Sequence, residues 1–527
     1  MRKSSVPVLA TIALVVGAVA PALGQLVDRT LAPNAANEGI AKSLLEQIGA
    51  GRGDVVTPDS SACVIARDPF RAIRRGRQLF QRKFTRAQGH GPVTGDGTGD
   101  VQVNLAIGAG LADSCAACHG RPRGSAGFGG DVATRPDSRD APHLFGLGLK
   151  EMLADEMTSD LRAIRASARA EAAASGRPVT KALSSKGILF GSLTAHVGGA
   201  VDTSGVDGVD TDLRVRPFFA HGGTISIREF VVGAINNEMG MQAVDPELYA
   251  AAHSGTRITT PAGMVLDGSL DKLEGPLAAD AAADPDGDGV TNEVPTSLVD
   301  YLEFYLLNYF KPATYEQSNE TARGRKILQQ IGCTVCHRAN LPVARDRRVA
   351  DVETVYDPEQ GIFNGLFATA SLRHDTVNDG NGLPSRKPAL RQSFLVTNIF
   401  TDLKRHDLGP AFHERDYDGT MRTAFLTTPL WGVGSTAPYG HDGRSITLTE
   451  VIRRHGGEAQ AARAAFDELS RPERDAVLAF LNSLVIFPPD DTASNLNAGN
   501  RAAAGFPQFG HGSIKLSALF NDPADPE

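Results

Sequence analysis

Cys115-Ala116-Ala117-Cys118-His119 and Cys333-Thr334-Val335-Cys336-His337 are the two stretches that decide how this chain is interpreted. Each has the pattern C-x-x-C-H, which is the attachment signature of a c-type haem. The two thiols can each add to one vinyl group of the same porphyrin, and the histidine that follows is then close enough to ligate the iron. A zinc site is the alternative, but it usually pairs two C-x-x-C knuckles and needs no histidine directly after each.

The N-terminus has the pattern of a signal peptide over residues 1–24. Arg2 and Lys3 form a short basic start, residues 8–20 form an apolar run, and residues 22–24 place small side chains at a cleavage site. The apolar run is too short for a comfortable transmembrane helix. We therefore expect a periplasmic protein with no membrane span after signal removal, and an uncleaved N-terminal anchor is the alternative.

Charge and cysteine content limit the partners. The formal net charge is −8, and loss of residues 1–24, which hold two basic and no acidic residues, changes it to −10. An acidic chain without a basic patch is a poor candidate for nucleic-acid binding. The two motifs use four of the five cysteines. The fifth, Cys63, is interpreted as a buried free thiol, with an intermolecular bridge or lipid attachment as alternatives.

Helical periodicity dominates the rest of the chain, and strand-like alternation is sparse. Residues 149–174, 299–310 and 471–485 have apolar side chains at helical spacing, and the last two segments end at prolines. Gly-, Asp- and Pro-rich stretches separate them. The prediction is a mainly α fold of two cytochrome-c-like haem domains, with long loops and little β structure.

The chain also contains an internal repeat. Residues 75–80 (RGRQLF) precede the first motif as residues 323–328 (RGRKIL) precede the second. Further on, Phe219-Ala220-His221-Gly222-Gly223 is echoed by Tyr439-Gly440-His441-Asp442-Gly443. We predict an N-terminal domain over 25–312 with the active-site haem, a C-terminal domain over 313–490 with the electron-transfer haem, and a loosely ordered tail over 491–527.

Several further stretches resemble the bacterial di-haem cytochrome c peroxidase superfamily, and within it the di-haem oxidoreductases of the peroxidase-like or thiol-oxidoreductase type. They are residues 143–149 (HLFGLGL), 402–409 (DLKRHDLG), 428–434 (TPLWGVG), 437–444 (APYGHDGR) and 455–459 (HGGEA). They lie across most of residues 65–485, and those around the second motif are the more specific.

The resemblance implies roles for individual residues. His119 and His337 follow the cysteines and ligate the two irons. At the place where the family has a distal methionine, 14 residues past His441, this chain has His455, which is therefore the expected second ligand opposite His337. A histidine donor lowers the reduction potential relative to methionine. His441 ranks second for this role.

For the first haem, the resemblance places an acid in a motif that ends E-M-G-M, and here that acid is Glu238. A carboxylate over the iron can move the proton that peroxide cleavage requires. His143 is a candidate labile iron ligand on this haem. Weaker candidates for this role are His90, His196, His221 and His253. The tryptophan common in the F-W-D-G segment of relatives is replaced here by Ala220, and the only tryptophan is Trp431.

An acidic loop suggests a second kind of metal site. Three aspartates alternate with turn residues in the order D-x-D-x-D-G, a spacing that can wrap oxygen ligands around Ca²⁺. Pro295 stands at the twelfth position, so the loop is not a complete EF-hand. A solvated acidic loop without calcium is the alternative. The candidate ligands are Asp284, Asp286, Asp288, Val290, Asn292 and Glu293.

Together these features predict a periplasmic enzyme with two covalently bound c-type haems and one Ca²⁺. The resemblance implies reduction of hydrogen peroxide, with electrons that a small cytochrome c or cupredoxin delivers to the C-terminal haem and that pass to the N-terminal haem. Two alternatives stay open at this point: a di-haem oxygenase or substrate-oxidising enzyme, and a non-catalytic electron-transfer cytochrome. A homodimer is also left open.

Overall fold

The structure is a computed structural model. It describes residues 43–91, 112–120, 126, 131–132, 139–309, 313–314, 318–356, 366–372, 374–378, 380, 384–388, 393–415, 419–486 and 513–515. The predicted signal peptide over 1–24 lies outside the described residues. So does the predicted tail over 491–527, except for residues 513–515.

Twelve α-helices occur in the described part of the chain. They are α1 (Leu44–Ile48), α2 (Ser61–Arg67), α3 (Pro69–Gln81), α4 (Cys115–His119), α5 (Leu147–Ser175), α6 (Ile227–Met239), α7 (Pro246–Ser254), α8 (Thr296–Asn308), α9 (Asn319–Gln330), α10 (Leu448–Arg454), α11 (Gln460–Glu468) and α12 (Arg471–Asn482).

Twenty strands also occur there, in nine sheets of two or three strands each. They are β1 (Asp131–Val132), β2 (Arg139–Asp140), β3 (Val179–Ser185), β4 (Ile188–Ala195), β5 (Val201–Asp202), β6 (Arg257–Thr259), β7 (Val265–Asp267), β8 (Ala313–Thr314), β9 (Leu341–Val343), β10 (Ala350–Tyr356), β11 (Leu366–Leu372), β12 (His374–Asn378), β13 (Pro384–Pro388), β14 (Phe394–Val396), β15 (Arg405–Asp407), β16 (Glu414–Arg415), β17 (Met421–Arg422), β18 (Ala424–Leu426), β19 (Leu484–Val485) and β20 (Ser513–Lys515).

These strands show that the prediction of a mainly α fold with little β structure was wrong. The fold is mixed, with helices and many small sheets, and it does not show the predicted cytochrome-c-like haem domains. The physical reason lies in strand length: most of the strands have two to five residues, too few to display a period of two in the sequence. Nearly all pairings are antiparallel, although β20 pairs in parallel with β11.

In the first half of the chain, residues 25–312, helices α3 and α8 pack against each other. Gly76 lies at their contact. A Cβ on Gly76 would be 2.2 Å from the carbonyl oxygen of Tyr301, so only glycine permits this approach. The surrounding core includes Phe80, Tyr305 and Leu302, all buried.

The second half repeats this arrangement. Helices α9 and α12 pack together, and Gly324 lies at their contact, where a Cβ would be 1.9 Å from the carbonyl oxygen of Ala476. Gly76 and Gly324 are the central residues of the two R-G-R stretches. The internal repeat in the sequence therefore corresponds to the same close contact between two helices, which occurs once in each half.

The longest helix connects the two halves through a shared core. Helix α5 has 29 residues and is followed by the three-stranded antiparallel sheet β3-β4-β5. Its buried side chains form one cluster with Leu183 and Phe190 of that sheet and with Leu341, Leu403 and Trp431 of the second half. None of the helices in the described ranges is both long and apolar enough to cross a membrane.

Candidate functional site

The first C-x-x-C-H motif forms the short helix α4. The Ser114 side chain caps it by accepting a hydrogen bond from the backbone N–H of Ala117. His119 Nδ1 donates to the carbonyl oxygen of Pro142 at 2.7 Å. A carbonyl can only accept, so Nδ1 carries a proton, and Nε2 is the ring nitrogen that remains for an iron.

The second motif has the same arrangement at its histidine. Residues Cys333–Val335 form a turn of 3₁₀ helix, and His337 Nδ1 donates to the carbonyl oxygen of Phe400 at 3.0 Å. Burial lowers the pKa of His337 to about 4, so the imidazole is neutral at physiological pH. Both motifs therefore present a histidine whose Nδ1 donates to a backbone carbonyl and whose Nε2 is left for a metal, next to two thiols in the sequence, and this donor set fits a haem.

His455 lies directly after helix α10. Its Nδ1 donates to the carbonyl oxygen of Val451 at 2.7 Å, which again leaves the lone pair on Nε2. Its ring meets Phe412 edge-on, with ring centroids 5.4 Å apart. His455 is also close enough to His337 for its charge to lower the pKa of that residue further. The structure thus brings the two predicted ligands of the second iron together, while their ligation of iron stays a prediction.

The first half has no histidine at the position equivalent to His455. Helices α6 and α10 are the corresponding elements, and Ser226 and Thr447 are their N-caps. His455 is eight residues after Thr447, and the eighth residue after Ser226 is Ala234. An alanine side chain cannot ligate iron, so the repeat provides a distal donor in the second half and not at this position of the first half.

Glu238 lies in the last turn of α6 and is half-buried. The buried face of this helix, which includes Val231, Ile235 and Met239, belongs to the same core against which Cys115 packs. The structure therefore places Glu238 on a helix that shares a hydrophobic core with the first motif. Its predicted role as acid and base is not tested by this geometry.

His143 is held by both ring nitrogens. Nε2 donates to the carbonyl oxygen of Trp431 at 2.6 Å, and Nδ1 accepts from the backbone N–H of Phe145 at 3.2 Å. Burial lowers its pKa to about 4, and His119 is near enough to contribute to that shift. His143 therefore joins the first haem motif to the second half of the chain. Its role as a labile iron ligand stays a prediction.

The acidic loop brings three of its predicted ligands together. Carboxylate oxygens of Asp284, Asp286 and Asp288 lie within 4.8 Å of one another. Glu293 is 2% exposed. Burial raises its pKa to about 8, and the three aspartates contribute to that increase. Among the described residues, one buried carboxylate oxygen of Glu293 and one of Asp286 have no hydrogen-bond partner. These oxygens face a concentration of negative charge that a cation would neutralise.

The last two predicted calcium ligands are placed differently. The carbonyl oxygen of Val290 accepts a hydrogen bond from Gln242 Nε2 at 3.3 Å. Asn292 is exposed and has a left-handed backbone, with φ of 53°. Neither belongs to the carboxylate cluster itself.

His406, which is not among the predicted site residues, lies beside the second motif. Its Nε2 is 2.9 Å from Asp402 Oδ2, and its Nδ1 is 2.7 Å from Glu458 Oε2. Cys336 Sγ lies 4.0 Å from the same Nδ1. Burial alone would lower the pKa of His406, but the hydrogen bonds to Asp402, Cys336 and Glu458 together raise it to about 11. The available signal was the stretch DLKRHDLG, in which an aspartate precedes a histidine by four residues.

Comparison with known proteins bears on this second half of the chain. Residues 360–484, about a quarter of the sequence, match the family described as "Di-haem oxidoreductase, putative peroxidase". Over this range the chain is similar to the di-haem oxidoreductases. The family predicted from the sequence is thereby confirmed, and haem is its class of cofactor. The matched range contains His406, Trp431 and His455, and lies after both C-x-x-C-H motifs.

Other comparisons add little to the family assignment. Sixteen solved chains match. One is hydrazine synthase from Kuenenia stuttgartiensis, pressurized with xenon, which is 15% identical to this chain, with a TM-score of 0.21. That match covers 36% of this chain and 56% of the other, so this chain spans just over half of its length. No curated protein matches the sequence.

Proposed function

We propose that this protein is a periplasmic di-haem c-type oxidoreductase that reduces hydrogen peroxide to water. Its electrons come from a small donor protein of the cytochrome c or cupredoxin type. The observation that carries the proposal is the matched geometry of His119 and His337, each of which donates from Nδ1 to a backbone carbonyl. The match of residues 360–484 to the di-haem oxidoreductase family supports it. Bound haem supplies the one-electron redox chemistry.

We assign different tasks to the two motifs. Cys115, Cys118 and His119 hold the reactive haem, and Cys333, Cys336 and His337 hold the haem that relays electrons. The presence of His455 beside His337, and of Ala234 at the equivalent position of the first half, supports this assignment. A site with two histidine ligands is closed to small molecules, whereas a site with one protein ligand is accessible to them.

Glu238 is the proposed acid and base. Reduction of one peroxide consumes two electrons and two protons and releases two waters, so a group near the first haem must deliver protons. A carboxylate at the end of α6 can accept a proton from one peroxide oxygen and return it to the other. The half-buried position of Glu238 allows it to exchange that proton with solvent between turnovers.

The first experiment counts haems and measures turnover on the exported holoprotein. We expect two covalently bound haems per chain, and one after substitution of both cysteines in either motif. Rapid mixing with peroxide should oxidise a reduced small cytochrome. Glu238→Gln should lower this rate by about 10²–10⁴-fold, whereas the control Glu247→Gln, an exposed carboxylate on the next helix, should leave it unchanged.

Carbon monoxide binding to the reduced protein separates the alternatives. We expect one molecule bound per chain, at the haem of the first motif. No binding at either haem would contradict the proposal and favour a pure electron carrier. Binding at one haem without peroxide turnover, but with oxidation of an organic substrate by dioxygen, would favour the oxygenase alternative.

We further propose that the acidic loop binds one Ca²⁺. Asp284, Asp286 and Asp288 supply the cluster, and the buried, unpartnered oxygen of Glu293 completes it. Val290 and Asn292 are the remaining candidate ligands. Because Glu293 also accepts a hydrogen bond from the backbone N–H of Gln242 at 2.8 Å, a bound ion would fasten the loop to the segment that follows α6.

Calcium binding is tested by calorimetric titration and thermal unfolding of the holoprotein after chelation. Added Ca²⁺ at about 100 times its dissociation constant should stabilise the protein by about 2.7 kcal/mol. Glu293→Gln should weaken binding, whereas Asp280→Asn, in the same loop but outside the cluster, should not. Equal affinity in both variants, or no heat of binding in the wild type, would contradict the site.

A further inference from the structure

Both histidines at the second haem site depend on one short segment, residues 400–409. At one end, the carbonyl oxygen of Phe400 accepts the hydrogen bond from His337 Nδ1 at 3.0 Å. Toward the other end, the carbonyl oxygen of Leu408 accepts a hydrogen bond from the backbone N–H of Gly456 at 2.8 Å. Gly456 is the residue after His455. The segment therefore contacts the proximal histidine and the chain that carries the predicted distal histidine.

Glu458 strengthens the second of these connections. Its Oε1 accepts from the backbone N–H of Asp407 at 2.8 Å, and its Oε2 accepts from His406 Nδ1 at 2.7 Å. His406 Nε2 donates to Asp402 at 2.9 Å. Because both acceptors are carboxylates, both ring nitrogens of His406 carry protons, and the ring is an imidazolium. Charge-assisted hydrogen bonds of this kind are stronger than neutral ones.

The hydrogen bonds of His406 with Asp402 and Glu458 form a clamp. The two segments that it joins, residues 407–408 and 456–457, are in close backbone contact. A Cβ on Gly457 would be 2.2 Å from the carbonyl oxygen of Asp407, and one on Gly456 would be 3.0 Å from that of Leu408. The absence of side chains at both positions lets the two segments approach. His406 and Asp402 are buried, which protects their hydrogen bond from competition with water.

The 400–409 segment is in turn fixed to the first half of the chain. Lys404 Nζ contacts Asp207 at 2.5 Å, and Arg405 pairs with Asp210. The carbonyl oxygen of Gly208 accepts from the backbone N–H of Arg405 at 2.9 Å. Residues 207–210, in the loop that follows β5, therefore hold the segment at Lys404 and Arg405.

We infer that Glu458 and His406 are positioning residues for His455, and that they hold its imidazole where it would ligate the second haem together with His337. This inference rests on the proposed assignment of His455 as distal ligand. Neither Glu458 nor His406 touches iron in this role. Their contribution is to keep the segment after α10 at a fixed distance from the one that supports His337.

The test uses the exported holoprotein and reads the spin state of its haems. Electron paramagnetic resonance and visible spectra of the oxidised wild type should show one low-spin haem with two histidine ligands. Glu458→Ala should raise the high-spin fraction of that haem by about tenfold, the effect expected for loss of a hydrogen bond between charged groups. Carbon monoxide bound per reduced chain should then rise from one toward two.

Two further variants make the test specific. Glu458→Gln keeps an acceptor oxygen but not the charge, so its effect should lie between those of the wild type and Glu458→Ala. Glu468→Gln removes the same charge from the exposed end of α11 and should leave spectra and carbon monoxide binding unchanged. Added imidazole should restore the low-spin spectrum of Glu458→Ala, which distinguishes a displaced ligand from a misfolded site.

The outcomes separate this inference from the proposed function. A wild-type spectrum in Glu458→Ala, with one carbon monoxide per chain, would overturn the positioning role while leaving the bis-histidine assignment in place. A wild type without a bis-histidine haem, or one that binds two molecules of carbon monoxide, would overturn both.

Discussion

Replacement of Gly146 by alanine should damage the contact between the two halves of the protein. Gly146 is the N-cap of α5, with φ of 74°, and a Cβ there would be 2.3 Å from Trp431 Cζ3. Trp431 is buried and cannot move into solvent without opening the shared core. The substitution therefore combines backbone strain with a steric clash.

The opposite end of the same helix offers a matched control. Gly176, the C-cap of α5, has φ of 65°, and a Cβ there would meet nothing within 4 Å. Both alanines would adopt the left-handed conformation, at a cost of about 1–2 kcal/mol each. Only Gly146→Ala would also overpack the core, which adds about 1–3 kcal/mol. The two variants should therefore differ in unfolding free energy by about 1–3 kcal/mol.

Trp431 fluorescence measures this difference directly, because it is the only tryptophan in the chain. Denaturant unfolding of Gly146→Ala should have a lower midpoint than that of Gly176→Ala, and its native emission should shift toward longer wavelength. Addition of Trp431→Leu to Gly146→Ala, followed by circular dichroism, should recover part of the loss. Equal midpoints for the two alanine variants would refute the packing argument.

Three further substitutions test the buried charges and one helix cap. Burial raises the pKa of Glu229 from 4.5 to about 7, so the folded chain keeps a proton that the unfolded chain loses. This group should lower the free energy of unfolding by up to about 3 kcal/mol as pH rises from 4.5 to 7, and Glu229→Gln should remove that contribution from the pH dependence measured by urea titrations. By the same assay, Arg228→Met should lower the free energy of unfolding by about 3–5 kcal/mol, because three buried carboxylates lose their cationic partner. Arg257→Met, at an exposed ion pair, should lower it by under about 1 kcal/mol. Thr447→Ala should cost about 1 kcal/mol by removing the N-cap of α10, measured by thermal unfolding.

The long helices could be predicted from the sequence because their periodicity extends over several turns. Segments 149–174, 299–310 and 471–485 correspond to α5, α8 and α12, with ends within a few residues. The repeat of the R-G-R stretches also marks two glycines with the same structural role. In each half, the glycine is the point at which one helix touches the backbone of another.

The sheets could not be predicted in the same way. Strand β3 does alternate, with Leu183 buried and Ser184 exposed, but it follows a 29-residue helix whose Ala-rich end gives no sign of a sheet. Strands such as β15 and β18 have three residues each and are held by backbone pairing rather than by an apolar pattern. Their positions depend on contacts between distant parts of the chain, which local sequence does not encode.

The candidate site likewise has a part that local sequence predicts and a part that depends on contacts between distant residues. In each motif the two cysteines and the histidine lie within five consecutive residues. Such a local pattern can be identified from the sequence without knowledge of the fold. The Asp402–His406–Glu458 clamp joins residues 52 positions apart, and its importance depends on what lies beside it. The two halves share a helix crossing and a capped helix, yet a histidine follows that helix in one half and Ala234 stands in its place in the other. Because both halves share this frame, the proposed difference in function between them would come from side chains such as His455 and Ala234 and from the contacts that hold them.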